Sequence, residues 1–160
     1  MNVPKSVVKI KKNGVEYTSN VDYALYNIFE LTRAAMRDVG RFLASRMNAE
    51  ARKLPGSRQD KDVKKYTAQF RYKVPFNPDG LPFVEVGVQD NKSSWYTEEH
   101  ELGSSKQPRR GIMNDTAHAN VAQIIEIESQ YLSALEDEAE ALRLIEEVAE
   151  QELSGGGDEW

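Results

Sequence analysis

The residues able to do chemistry are few. The 160-residue chain has two histidines, His100 and His118, and no cysteine. Without cysteine there is no disulfide, no thiolate nucleophile and no cysteine-ligated zinc. A zinc-protease helix needs a second histidine four residues after the first, with a glutamate between them. Glu98-Glu99-His100-Glu101 lacks that second histidine, and nothing in the order of residues pairs His100 with His118. The carboxylates Glu98, Glu99 and Glu101 stand close together, but an acidic chain produces such groups by chance, so they do not indicate acid–base catalysis. Gly103-Ser104-Ser105-Lys106 lacks the spacing of a phosphate loop, and there is no nucleophile elbow or dinucleotide fingerprint. No catalytic residue, metal ligand or cofactor is therefore expected, and the chain reads as non-enzymatic.

Composition supports a structural role. Hydrophobic residues make up 39% and charged residues 29%, as in a water-soluble globular domain. No apolar run approaches the ~18 residues of a membrane span, so no membrane partner is expected. Met1 to Lys12 holds no apolar stretch followed by a small-residue cleavage site, so no signal peptide is expected. The net charge of -5 is unevenly placed. Residues 136–160 hold ten acidic groups and one basic group, whereas residues 52–73 hold eight basic and two acidic ones. A basic middle and an acidic end suit head-to-tail contact between copies, because opposite fields complement each other. Two solvated faces would account for the same counts.

The elements that carry these residues can be read from periodicity. Val7 to Lys11 and Val15 to Thr18 are β-rich and flank Asn13-Gly14, a hairpin turn sequence. Such a hairpin is too small to stand alone and must dock on something. Asn20 or Asp22 can cap a helix, and Leu25, Ile28, Phe29, Met36, Val39, Phe42, Leu43 and Met47 keep helical spacing to about Arg52. Leu54-Pro55-Gly56 should stop it, and Gly40 inside it marks a close contact or a weak point. From Tyr66 to Val74 the residues alternate, with Phe70 and Tyr72 on the inner face. Phe83 to Val88 forms a second strand that should pair antiparallel with the first. A last apolar stripe from Thr116 to about Leu153 would make a helix on the order of 57 Å long, more than a domain of this size spans. It either breaks near Ser133 or projects to meet another chain. Residues 154–160 should be a disordered tail.

The basic stretch Arg52, Lys53, Arg58, Lys61, Lys64, Lys65, Arg71 and Lys73 is interleaved with Tyr66, Phe70 and Tyr72. A nucleic-acid groove could have this composition. The aromatics share the inner strand face, however, which favours core packing and leaves only backbone contact with DNA through positive charge.

The sequence Trp95-Tyr96-Thr-Glu-Glu-His-Glu101-Leu-Gly103-Ser104-Ser105-Lys106-Gln-Pro108-Arg109-Arg110 carries a resemblance. With a long helix before it, two strands and a final helix, it resembles the neck, or tail-completion, family of long-tailed double-stranded DNA phages. Tyr96, Glu101, Gly103, Ser104 and Lys106 fit the family pattern of a tyrosine, an acidic residue, then glycine and small or basic residues. The Pro-and-Arg turn into the last helix also fits. Ile112-Met113-Asn114 stands where members often have an aromatic and a proline. The resemblance spans about Asp22 to Leu135.

Such a resemblance implies a virion protein of the neck, made in the host cytoplasm, that forms a ring, expected as a hexamer, between the DNA-filled head and the tail. Its partners would be copies of itself, the head-side connector and the tail-side terminator, with non-specific contact to DNA in the channel. The expected subunit interface comprises Tyr96, Glu101, Gly103, Ser104, Lys106, Arg109 and Arg110, and the expected channel or partner contacts are Arg58, Lys61, Lys64 and Lys65. The alternative is a small nucleic-acid-binding adaptor that uses residues 52–73. The expected fold is α+β, with two long helices on a small antiparallel sheet, an N-terminal hairpin and an extended acidic C-terminal helix. Residues 1–153 would form a single domain, with 1–20 as a hairpin arm and 136–153 as the acidic extension. Its core should bring Leu25, Phe29, Met36, Phe42 and Leu43 against Ile124, Ile125, Tyr131, Phe70 and Tyr72.

Overall fold

Unbroken helical spacing after Val21 yields one helix, α1 (Val21–Arg52), of 32 residues and about 48 Å. The computed structural model describes residues 8–12, 15–19, 21–54, 70–88, 100–105 and 108–154. Ahead of α1, β1 (Val8–Lys12) and β2 (Val15–Ser19) pair antiparallel, with Ile10 opposite Tyr17. The expected turn Asn13-Gly14 and the expected cap Asn20 lie outside the described residues. At its far end α1 tightens: the Lys53 and Leu54 amides donate to the carbonyls of Glu50 and Ala51 at 3.0 and 3.2 Å. Pro55 and Gly56, the expected stop, are outside the described residues.

A two-stranded antiparallel sheet packs on the second half of α1. It consists of β3 (Phe70–Lys73) and β4 (Glu85–Val88), with Phe70 opposite Val88 and Tyr72 opposite Val86. The expected alternation holds: Phe70 and Tyr72 are buried, while Arg71 and Lys73 are half-buried. Residues 66–69, the expected first part of this strand, lie outside the described residues. Gly40 explains the closeness of sheet and helix, because a Cβ there would overlap the Tyr72 ring. Asn48 fixes the register of the contact. Its buried amide donates to the Phe70 carbonyl at 3.0 Å and accepts from the Phe70 N–H at 3.3 Å, taking the place of a neighbouring strand.

The apolar stripe breaks at Ser133, the first of the two expected alternatives, and it is interrupted once more at Asn120, so three helices and a turn stand in place of one helix. α2 (Ile112–Ala119) ends at Asn120, whose side chain donates to the Thr116 carbonyl at 2.7 Å. Next come α3 (Val121–Ser133), a 3₁₀ turn (Ala134–Glu136) and the extended residue Asp137. The Asp137 carboxylate accepts from the Ala139 and Glu140 amides at 2.9 and 3.3 Å and so caps α4 (Glu138–Ser154). The acidic helix is therefore not an outward extension. Ala141 and Val148 are buried with Leu31 and Ala34 of α1, while Glu146, Glu147 and Glu150 are exposed. The apolar stripe on α4 needs a cover, and α1 supplies it.

These elements make an α+β arrangement, mostly helical with a small antiparallel sheet, around two linked cores. One joins Leu31, Ala34 and Ala35 to Tyr131, Ala134, Ala141 and Val148. The other joins Val39, Leu43, Met47 and Ala51 to Phe70 and Ile112. Leu43, Tyr131, Phe70 and Tyr72 are buried as expected. Leu25 and Ile125 are not: they are 59% and 56% exposed. Phe29 is half-buried and stacks on Phe76 at 5.6 Å between ring centroids.

Candidate functional site

The motif residues that are described gather in one loop ahead of α2. Residues 100–102 form a helical turn, and His100 is buried. Glu101 also turns inward, 5% exposed, with both carboxylate oxygens accepting from the Met113 amide at 3.2 Å. A carboxylate at the start of α2 satisfies a free amide and complements the positive end of the helix. Leu102, the next residue, points the other way and is 69% exposed.

Two glycines shape the rest of the loop. Gly103 has φ +80, and a Cβ there would lie 2.7 Å from the Arg109 amide nitrogen. Gly111 has φ +58 and opens α2, its carbonyl accepting from the Asp115 amide at 2.9 Å. Both conformations favour glycine. The Arg110 amide closes the loop by donating to the His100 carbonyl at 2.8 Å. Ser104 and Ser105 face solvent. Arg109 pairs with Asp115 at 3.1 Å on the surface. Arg110 is half-buried and lines an open cleft of about 430 Å³ with Arg46, Lys53, Glu50 and Asp115.

The loop thus brings Glu101, Gly103, Ser104, Arg109 and Arg110 together, but in different roles. Glu101, expected as an outward charge, holds a helix terminus within its own chain. Gly103 holds the turn. Ser104 and Arg109 are exposed. Tyr96 and Lys106, and the expected contacts Arg58, Lys61, Lys64 and Lys65, lie outside the described residues. Among the described residues no group of three or more histidine, aspartate or glutamate side chains could hold a metal ion. No helix of the described residues is long and apolar enough to cross a membrane.

A polar set ties the three long helices together. The Tyr131 hydroxyl donates to the Asp38 carboxylate, and Arg41 donates to Asp38 at 3.1 Å and to the Gln151 side chain. Burial, and then the hydrogen bond to Asp38, push the Tyr131 hydroxyl well above the usual tyrosine range. It stays neutral at ordinary pH and holds α3 against α1 through Asp38.

Sequence reasoning missed the open apolar face on the first half of α1. Leu25 and Ile28 are exposed there, as are Leu132 at the end of α3 and Leu135 in the 3₁₀ turn that follows. Between Ile28 on one side and Leu132 and Leu135 on the other lies an apolar groove of about 250 Å³, floored by Leu31, Ala35 and Tyr131. The available signal was the breadth of the α1 stripe, wider than the elements of one small chain can cover. Leu102 was equally readable as a lone leucine in a polar loop. Compared with known proteins, the chain matches no family model, no curated protein and no solved structure.

Proposed function

We propose that this chain is a structural, non-catalytic protein of the phage head–tail neck that assembles with copies of itself into a ring joining the DNA-filled head to the tail. The observation that carries the reading is the loop at residues 100–111. The described residues of the family-like motif, Glu101, Gly103, Arg109 and Arg110 among them, build a surface held by a buried carboxylate, two left-handed glycines and a closing backbone hydrogen bond. Holding a loop this firmly lowers the ordering cost of docking it against a neighbour. An exposed apolar groove elsewhere on the chain adds support, because apolar surface of this kind marks protein contact.

The nucleic-acid adaptor draws on residues 52–73, of which 55–69 lie outside the described residues; Lys53 of that segment lines the cleft with Arg46 and Arg110. Lys53 is paired with Glu50 at 2.5 Å and Asp115 also lines the cleft, so its field is mixed. Assembly is the better account. The test is complementation of particles made without this protein, which should accumulate as full heads beside unattached tails. Wild-type protein should restore joining. Circular dichroism would verify the fold of the double variant Arg109→Glu/Arg110→Glu, in which Arg109 makes only an exposed ion pair and Arg110 is half-buried. The variant should fail to join heads to tails, because like charges facing across an interface are strongly unfavourable. Full complementation by the folded double variant would remove the loop from the interface. A shift of labelled DNA with a steep salt slope would favour the adaptor instead.

A further inference from the structure

Two surfaces of this chain each set exposed leucine beside charge, one negative and one positive, and they lie near different ends of α1. The first is the groove between α1 and α3. Ile28, Leu132 and Leu135 form its exposed apolar rim, and Glu128 is the one charged residue lining it among the described residues. Glu128 makes no ion pair with a described residue. The second is the loop that presents Leu102. Its leucine projects between an inward-facing Glu101 and the tight turn at Gly103. The cations Arg109 and Arg110 belong to the same loop; Arg109 is paired with Asp115 on the surface, whereas Arg110 makes no ion pair with a described residue.

From these features we infer that Leu102 of one copy seats in the groove between α1 and α3 of the next, with the Arg109–Arg110 side of the loop facing the Glu128 rim. This deepens the ring reading above and rests on it. The occupant is a second copy because this chain carries both halves of the contact. The groove takes an apolar side chain and is bordered by negative charge. The loop offers an exposed leucine, held rigidly, and positive charge. Self-pairing of the groove about a two-fold axis would instead set Glu128 near Glu128, which like-charge repulsion disfavours.

The geometry also dictates the kind of assembly. The groove lies along residues 28–36 of α1, whereas the loop leads into Ile112, which packs with Met47 and Ala51 near the end of α1. The two surfaces are displaced along the helix by on the order of 20 Å. A contact between different patches is heterologous, so it propagates head to tail and closes into a ring where the rotation allows.

Absence of cysteine makes the test clean, since every cross-link must come from introduced thiols. Leu102→Cys and Leu132→Cys both replace exposed residues, and circular dichroism would verify the fold of each variant. Under a mild oxidant the double variant should give a ladder of covalent oligomers. Each single variant should remain monomeric on a denaturing gel, and an equimolar mixture of the two should stop at dimers. Leu102→Cys with Leu135→Cys serves as a second pair if the first folds poorly. A ladder from either folded pair supports the contact. Dimers from Leu132→Cys alone would show the groove pairing with itself and overturn it. A wild type that scatters light as a multimer, without a ladder from either pair, would overturn this contact and leave the ring reading standing. A wild type that stays monomeric at high concentration, again without a ladder, would overturn both.

Discussion

The two halves of α1 have the same apolar period and opposite fates. In the second half Val39, Leu43 and Met47 are buried beneath the β3–β4 sheet and the start of α2. In the first half Leu25 and Ile28 occupy the same kind of position and are exposed. There α3 and α4 cover two sides of the helix, around Leu31 and Ala34, and leave the third open. The difference lies in what covers the stripe. Periodicity counts how many neighbours a helix needs, but it does not say which chain supplies them. One half is completed within the chain, and the other is available for assembly.

Breaking the covered half should have the largest effect. Phe70→Ala should destabilise the isolated protein by about 3–5 kcal/mol, as large-to-small core changes do. Denaturant unfolding measures it, and a loss below ~1 kcal/mol would mean that the strand face is not core. Asn48→Ala comes next. It removes two buried hydrogen bonds to the Phe70 backbone, at about 1 kcal/mol each. Gly40→Ala should cost about 1–3 kcal/mol through overpacking against Tyr72. Leu25→Ser, in the open half, should shift unfolding by less than ~0.5 kcal/mol, because Leu25 is 59% exposed and belongs to neither core cluster of the described residues.

The helix ties sharpen the comparison through pH. Tyr131 titrates near 10 when unfolded and higher when folded, because burial and Asp38 both oppose its ionisation. Its contribution to stability is therefore complete below about pH 10 and is lost as pH rises toward the folded value. Alkaline melting curves should fall more steeply for wild type than for Tyr131→Phe. Parallel curves would mean that the hydroxyl is not held by Asp38. Arg143→Ala should have the smallest effect: its contacts to Glu140 and Glu147 are exposed pairs on one helix, so no measurable change in melting is expected.

The extent of α1, the phase of Phe70 and Tyr72, and the antiparallel pairing of β3 with β4 were legible because each rests on local periodicity. The interruption at Asn120 was not, since it stands between Ala119 and Val121 with no glycine or proline to mark it. Asp137 was an available helix cap, but it sits in a run of acidic residues that reads equally well as a solvated helix face. Its extended conformation lets α4 pack on α1, a long-range result that no local pattern encodes. In the loop the glycines were legible from their type. The inward turn of Glu101 was not, because a carboxylate has the same pattern whether it meets a neighbour or caps a helix 11 residues later in its own chain.

The central claim is that the open half of α1 is covered by another copy. The most direct measurement is mass by light scattering for wild type beside the double variant Leu25→Ser/Leu132→Ser, at matched concentration and with matched circular dichroism. The account predicts a multimer for wild type and a monomer for the variant, with melting temperatures of the isolated fold nearly equal. A variant that retains the full wild-type multimer mass would contradict it.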